Sequence, residues 1–329
     1  MTSDPDWPRA SDWLAASRAS GPGRSLSVVG IPLSLTSLSP SGASQTPAAV
    51  RLALRRISTF HAGLEVDLEA VRVQDHGDLP VSNATTSDAL ERVEEALLSL
   101  GLVDDRGPRH PIIDPSGEER AGAAEAGLGH RAGPDLVVLL GGDNAITRPA
   151  MRTLMPLATS GLLTLDAHHD VRGFHAGATN GTPVRGLIED GLAGRHVVQI
   201  GLGNLTNSRA YRTWCDEQGI TSVLVDDARG RVGALVRAHL DRLAETCEDL
   251  YVDLDVDVVD KAFVPGCPGA RPGGLAPYEL LEAAVEAGKH LSVRAIDITE
   301  VDATADPDGR TVDLAAMCLL SAAAGLATR

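Results

Sequence analysis

Residues 162–172 read LLTLDAHHDVR, an apolar run that ends in Asp166, His168, His169, Asp170 and Arg172. In an extended backbone residues i, i+2 and i+4 share a face, so Asp166, His168 and Asp170 can converge while His169 points away. The same period groups Asp253, Asp255 and Asp257 within LYVDLDVDVVD (250–260). A third cluster, GGDNAIT, sets Gly141, Gly142, Asp143 and Asn144 directly after DLVVLL (135–140). Carboxylates crowded this closely raise one another's pKa and neutralise unless a cation stands among them. Carboxylate oxygen with one or two imidazoles, and no thiolate, suits Mn²⁺ better than structural zinc. Two such ions, roughly 3.5 to 4 Å apart and bridged by carboxylates, would hold and acidify a water for hydrolysis. Any one cluster alone could be a solvated strand end or a helix cap. Three in one chain, each closing a β-rich run, argue for a common site.

The elements that must position these residues are legible as alternation. Apolar β-rich runs lie at 25–31, 135–140, 161–166, 196–201, 221–225, 250–255 and 293–299. Between them fall helical stretches at 47–57, 87–100, 148–157, 208–218, 231–246, 277–288 and 312–327, with Pro47 suited to a first helical turn after Thr46. Strands apolar throughout are expected where helices cover both faces of a parallel sheet. The alternation predicts a single three-layer α/β/α sandwich over 25–329, its mostly parallel sheet built of about eight strands. Such sheets bind ligands at the carboxyl ends of their strands, where all three clusters fall. Residues 1–24 show no sustained period and are expected to form a partly ordered arm, and 104–134, rich in Gly, Pro, Glu and Arg, a long excursion.

Composition narrows the partners. The chain of 329 residues has 29 Lys plus Arg against 45 Asp plus Glu, and its net charge of -16 repels nucleic acid and anionic membranes. A small molecule is the expected partner. No apolar run approaches the roughly 18 to 20 residues needed to cross a bilayer, and no basic leader precedes an apolar one, so the expected location is cytoplasmic. The four cysteines, Cys215, Cys247, Cys267 and Cys318, form no C-x-x-C pair and are expected to be reduced thiols.

In this order the motifs DHGDL (75–79), GGDNAIT (141–147), DAHHD (166–170), DLDVDVVDKAFVPGCPGARPGGL (253–275) and EVD (300–302) resemble the ureohydrolase superfamily of arginase, agmatinase and formimidoylglutamase, from about residue 25 to the C-terminus. The resemblance implies the three-layer α/β fold, a binuclear manganese centre, a homo-oligomer, and attack by a metal-bridging hydroxide on an amidine or guanidine carbon. Carried over by position, Asp166, His168, Asp170, Asp255 and Asp257 are the expected metal ligands, with Asp166 and Asp257 bridging. Asn144 stands where the family usually has His, and an amide oxygen can still ligate Mn²⁺. Arginases and agmatinases place a His before Gly in the following loop; here ATNGTPVRGL (178–187) has Asn180, which cannot shuttle a proton. In this the chain is similar to formimidoylglutamases. Their implied substrate, N-formimidoyl-L-glutamate, carries two carboxylates, for which Arg172 and Arg185 are candidate bidentate partners. Glu300 resembles the acidic residue that holds the amidinium, Asp170 or a metal-bound water is the candidate proton relay, and Asn180 and His175 are candidate substrate-binding residues. The rival expectations are a guanidino-acid or agmatinase-type hydrolase, and a non-catalytic relative with an incomplete metal centre.

Overall fold

The computed structural model describes residues 4, 6–17, 23–81, 83–102, 133–175 and 177–329. The excursion expected over 104–134 lies, apart from Gly133 and Pro134, outside the described residues.

Among the described residues ten strands are formed: β1 Ser25–Gly30, β2 Phe60–His61, β3 Val66–Asp67, β4 Arg72–Asp78, β5 Leu136–Leu140, β6 Ser160–Leu165, β7 Val197–Leu202, β8 Thr221–Leu224, β9 Asp249–Asp255 and β10 Val293–Thr299. Eight of them make one sheet in the order β4-β1-β5-β10-β9-β6-β7-β8, while β2 and β3 pair as a small separate ribbon. Every pairing in the large sheet is parallel. The helices are α1 Ala10–Ala15, α2 Thr46–Ala53, α3 Ala89–Ser99, α4 Thr147–Leu154, α5 Pro183–Glu189, α6 Arg209–Gln218, α7 Val225–Ala228, α8 Val232–Ala244, α9 Pro277–Lys289 and α10 Arg310–Ala327.

Alternate strand residues feed two separate cores. Val28, Val138, Leu250 and Val252 join apolar residues of α2, α8, α9 and α10 on one face. Val29, Val137, Leu139 and Tyr251 join residues of α3, α4, α5 and α6 on the other. With both faces covered, the central strands must be apolar throughout, which is why β5 and β6 are buried at every position. The three-layer sandwich expected from the alternation is therefore the architecture found.

The arm is described in part, and one expectation, on the length of apolar runs, is corrected. The arm contains α1, whose Ala10 amide donates to the Ile57 carbonyl at 2.9 Å and whose Trp13 Nε1 donates to the Val71 carbonyl at 3.2 Å. An apolar run long enough to span a bilayer does exist: α10 has 18 residues at a mean hydropathy of 1.4. It is a core helix, 78% buried and packed lengthwise on α9. The two helices approach closely because they meet at glycines. A Cβ on Gly288 would lie 2.1 Å from the Ala322 carbonyl oxygen, and one on Gly325 would lie 2.3 Å from that of Val285.

Chain order jumps at the centre of the sheet, where β10 and β9 are inserted between β5 and β6. The register pairs Leu140 with Ile298, Thr299 with Asp255, and Leu165 with Leu254. The carboxyl ends of these four adjacent strands therefore finish level, and the polar clusters that follow them share one opening.

Candidate metal centre and substrate pocket

Four strand ends supply the site: Asn144 after β5, Asp166–Asp170 after β6, Asp255–Asp257 at the end of β9, and Glu300 after β10. Beyond Leu165 the chain leaves the extended form, and Asp170 takes a left-handed backbone, φ 50°. Asp166, His168 and Asp170 still converge, and His169 turns away as expected, its Nδ1 2.6 Å from Gln199 Oε1. After Asp255 a single 3-10 turn, Val256–Val258, begins with the Asp255 carboxylate accepting from the Asp257 amide at 2.7 Å. That turn brings Asp257 beside Asp255. Asp253 does not join them: it lies within β9, where its carboxyl hydrogen-bonds Asp297.

Two groups result, each with potential ligand atoms within 4.8 Å of one another: Asp166, His168 and Asp257, and Asp166, Asp170 and Asp255. Asp166 belongs to both. Of the two residues expected to bridge, Asp257 falls in one group only, with His168. Asp166, Asp255 and Asp257 are 1%, 2% and 3% exposed, so water cannot solvate three negative charges there. Burial, with the neighbouring Asp170 and Asp257, pushes the Asp166 carboxyl well above its ordinary range. Burial, with Asp257 and Asp166, does the same to Asp255. Burial also raises Asp170, to about 7. Asp257 is the exception. Its burial is outweighed by the His168 imidazolium, whose Nδ1 is 2.7 Å from Asp257 Oδ2, and by the Ala167 amide, which holds the other oxygen at 3.1 Å. The same ion pair raises His168.

This donor set fits a divalent cation. Asp166 Oδ2 is buried with no hydrogen-bond partner among the described residues, an expensive state for a carboxylate oxygen unless a cation meets it. Gly269 packs against the group so tightly that a Cβ would stand 2.4 Å from Asp257 Oδ2. All the donors are oxygen or imidazole, as Mn²⁺ prefers. Asn144 stands at the edge of the second group. Its Nδ2 donates to Asp170 Oδ2 at 2.8 Å, and its Oδ1 accepts from the hydroxyls of Thr147 and Thr299, each at 3.0 Å. Hydroxyls accept as well as donate, and Thr147 has a second acceptor in Asp297 Oδ2 at 2.7 Å. A half-turn of the amide would therefore aim Oδ1 at the metal group and leave Nδ2 with the hydroxyls.

The pocket over these groups has a volume of about 160 Å³. Glu300 enters it from a left-handed backbone, φ 62°, fixed by its amide donating to the Gly142 carbonyl at 3.0 Å. Its Oε1 accepts from the Asn144 amide at 2.8 Å and from Asn180 Nδ2 at 3.0 Å. Burial, with Asp143 nearby, raises this carboxyl to about 8. Asn180 thus orients Glu300, and its Oδ1 accepts from the Leu38 amide at 3.0 Å. Arg172 lines the pocket, and its guanidinium has no hydrogen-bond or ion-pair partner among the described residues.

The remaining expected residues are placed elsewhere. Arg185 is on α5, where its Nε donates to the Val171 carbonyl at 2.8 Å and its guanidinium lies 4.2 Å from the Trp214 ring centroid. It is not part of the pocket lining. His175 is exposed, with its ring against Gly173, and does not line the pocket either. Asp143 faces the loop after β1, accepting from the Thr36 hydroxyl at 2.7 Å and the Thr36 amide at 3.1 Å. The DHGDL motif serves the edge of the sheet, with Asp75 gripping Arg51 of α2 through two 2.8 Å contacts.

Two parts of the wall were not among the expected residues. One is the Ser-rich loop after β1, which contributes Ser37, Leu38, Ser39 and Ser41. The strand-end rule applied to the other clusters would have found it. The other is Pro268, Gly269 and Arg271, in the loop that follows the Asp257 turn.

Comparison with known proteins gives a consistent picture. The formimidoylglutamase of Halalkalibacterium halodurans is 33% identical over 299 residues, which span 89% of this chain and 85% of that protein. The crystal structure of the Bacillus subtilis formimidoylglutamase superposes with a TM-score of 0.81 at 28% identity, covering 99% of this chain and 94% of that one. A Trypanosoma cruzi formiminoglutamase crystallised with Mn²⁺ shares the fold, with a TM-score of 0.77 at 21% identity over 98% of this chain and 100% of that one. The model of the Arginase family matches residues 24–325, and with that extent of match and the 33% identical relative, the chain belongs to the arginase family.

Proposed function

We propose that the protein is a metal-dependent amidine hydrolase that converts N-formimidoyl-L-glutamate and water to L-glutamate and formamide. One coincidence carries the reading. The pocket that holds the two carboxylate groups also holds the Arg172 guanidinium, which has no hydrogen-bond or ion-pair partner among the described residues, so a cationic amidine can face carboxylates while its anionic tail meets an arginine. The relatives named formimidoylglutamase support the same substrate.

Asp166, His168 and Asp257 would hold one Mn²⁺, and Asp166, Asp170 and Asp255 the other, with Asn144 completing the second site through Oδ1. When bound, such ions supply an acidified water and stabilise the negative charge that develops on oxygen during hydrolysis. The chain's own residues do the rest. Glu300, its Oε1 occupied by Asn144 and Asn180, offers Oε2 to the amidinium N–H groups. Arg172 binds a substrate carboxylate and thereby sets the formimidoyl carbon over the metal groups. Asp170 passes the proton to the glutamate nitrogen as the bond from that nitrogen to the formimidoyl carbon breaks. Asn180 shuttles no proton; it fixes Glu300. A single domain over 25–329, a homo-oligomer and a cytoplasmic location belong to the same reading, and sedimentation velocity checks the oligomer.

A substrate panel on manganese-loaded protein tests the function. Formamide and L-glutamate should appear from N-formimidoyl-L-glutamate, with no urea from agmatine or from guanidino acids. Urea from either of the latter would replace this substrate class, and no product from any of them would remove the enzyme reading.

A further inference from the structure

A substrate with two carboxylates needs two cationic partners, and Arg185 is not in the pocket to be the second. We propose that Arg271 is a further specificity-determining residue, binding the side-chain carboxylate of the substrate while Arg172 binds the α-carboxylate. The inference rests on the N-formimidoyl-L-glutamate reading and names its second anchor.

Arg172 and Arg271 are the guanidiniums among the described residues of the pocket lining. Arg271 is exposed, and only its Nη1 is engaged, with the carbonyls of Pro268 and Ala270, each at 3.0 Å. Its Nε and Nη2, the edge that forms a two-point contact with a carboxylate, have no partner among the described residues. Exposed Arg212 and Arg229 pair with Asp216 and Asp226, whereas Arg195 and Arg209 have no side-chain partner among the described residues; what singles out Arg271 is its place in the pocket wall.

The loop that carries Arg271 is fixed on several sides. Lys261 Nζ donates to the carbonyls of Pro265 and Cys267 at 3.2 and 2.7 Å. The Gly266 amide donates to Thr311 Oγ1 at 2.9 Å, and the Gly273 amide to Asp260 Oδ2 at 2.6 Å. Gly269 is pressed against Asp257. A guanidinium presented from a rigid loop loses little freedom on binding.

Placement assigns the two carboxylates. The side chain of Arg172 runs along Gly181, where a Cβ would stand 2.5 Å from Arg172 Cδ, and the adjacent Asn180 bonds Glu300. Arg172 is therefore on the Glu300 side, where the amidine binds, and the α-carboxylate is one carbon from the amidine nitrogen. Arg271 borders the Asp257 side and is left with the distal carboxylate.

The experiment compares manganese-loaded wild type, Arg271→Met and Arg271→Lys on N-formimidoyl-L-glutamate and on N-formimidoyl-L-glutamine, whose side chain is neutral. Loss of a two-point charged contact should raise KM for the glutamate compound by about ten- to a hundredfold in Arg271→Met, with kcat little changed. Arg271→Lys should fall between, and KM for the glutamine compound should not move. Equal losses on both substrates, an unchanged KM, or lowered manganese content in both variants would overturn the inference and leave Arg271 a loop brace. If wild type turns over neither compound, the proposed function fails by itself. Calorimetric L-glutamate binding then judges Arg271: about tenfold weaker binding in Arg271→Met than in wild type supports the role, and equal or absent binding removes it.

Discussion

Single residues carry most of the chemistry here, and their types were legible where their neighbours were not. The triad Asp166, His168 and Asp170 was readable from spacing alone, although the backbone there is a turn and Asp170 is left-handed. Spacing failed for Asp253, because the chain after Asp255 turns instead of continuing the pleat, so Asp257 joins the site and Asp253 stays within the sheet. Asp166 is the residue common to both metal groups. Asp166→Asn should therefore lose both ions, as read by metal analysis, and more than about a hundredfold in activity. It should also raise the thermal stability of the metal-free protein, since it removes one of several buried like charges. Glu300→Gln keeps an acceptor for Asn144 and Asn180 but removes the charge proposed to face the amidinium. Its manganese content should be unchanged while kcat/KM falls about ten- to a hundredfold; loss of metal would show that Glu300 supports the ligands instead.

At the scale of elements, the strands buried on both faces announced themselves and the edge did not. β5 and β6 are uniformly apolar because helices cover both sides. β4, RVQDHGD, is an edge strand with a mostly polar, partly exposed sequence, and no apolar run marks it. Its DHGDL end was legible as a motif, but its role is to hold α2 through Asp75 and Arg51. The α9–α10 crossing was equally hidden, since glycines inside apolar helices give no periodic signal. Gly325→Val would drive side-chain atoms into the Val285 carbonyl oxygen and the Lys289 amide. Overpacking of this kind costs about 1–3 kcal/mol or more. The melting temperature should fall by about 5 °C or more, with two manganese ions still bound per chain. An unchanged melting temperature would mean that α10 shifts freely along α9.

The whole molecule is a scaffold that holds charge of one sign at one place, and its stability should report this. Burial raises Asp170 to about 7 and Glu300 to about 8 in the folded chain, against about 4 when unfolded. A carboxyl raised on folding adds stability that is complete below its unfolded pKa and is lost as pH rises through its folded one. Buried His169 and half-buried His239, both lowered by loss of solvent, oppose this only below about pH 6.5. The metal-free protein should therefore melt at lower temperature at about pH 9 than at about pH 7, and the rise produced by Mn²⁺ should grow over the same interval. A metal-free melting temperature that rises there would contradict the charge assignment. The architecture and the carboxylate-rich corner were legible in the sequence because alternation fixes the layers and the carboxyl ends of strands bring the polar clusters together. The pocket's outer wall was not, because loops such as 34–41 and 265–274 have no period to read. Whether Asn144 completes a working two-metal centre is decided by metal content and formamide release measured together, on protein reconstituted with Mn²⁺ beside Asn144→His. The wild type should bind two manganese ions per chain and turn over N-formimidoyl-L-glutamate. One ion or none with no turnover, and recovery only in the variant, would contradict it and make the chain a binding protein.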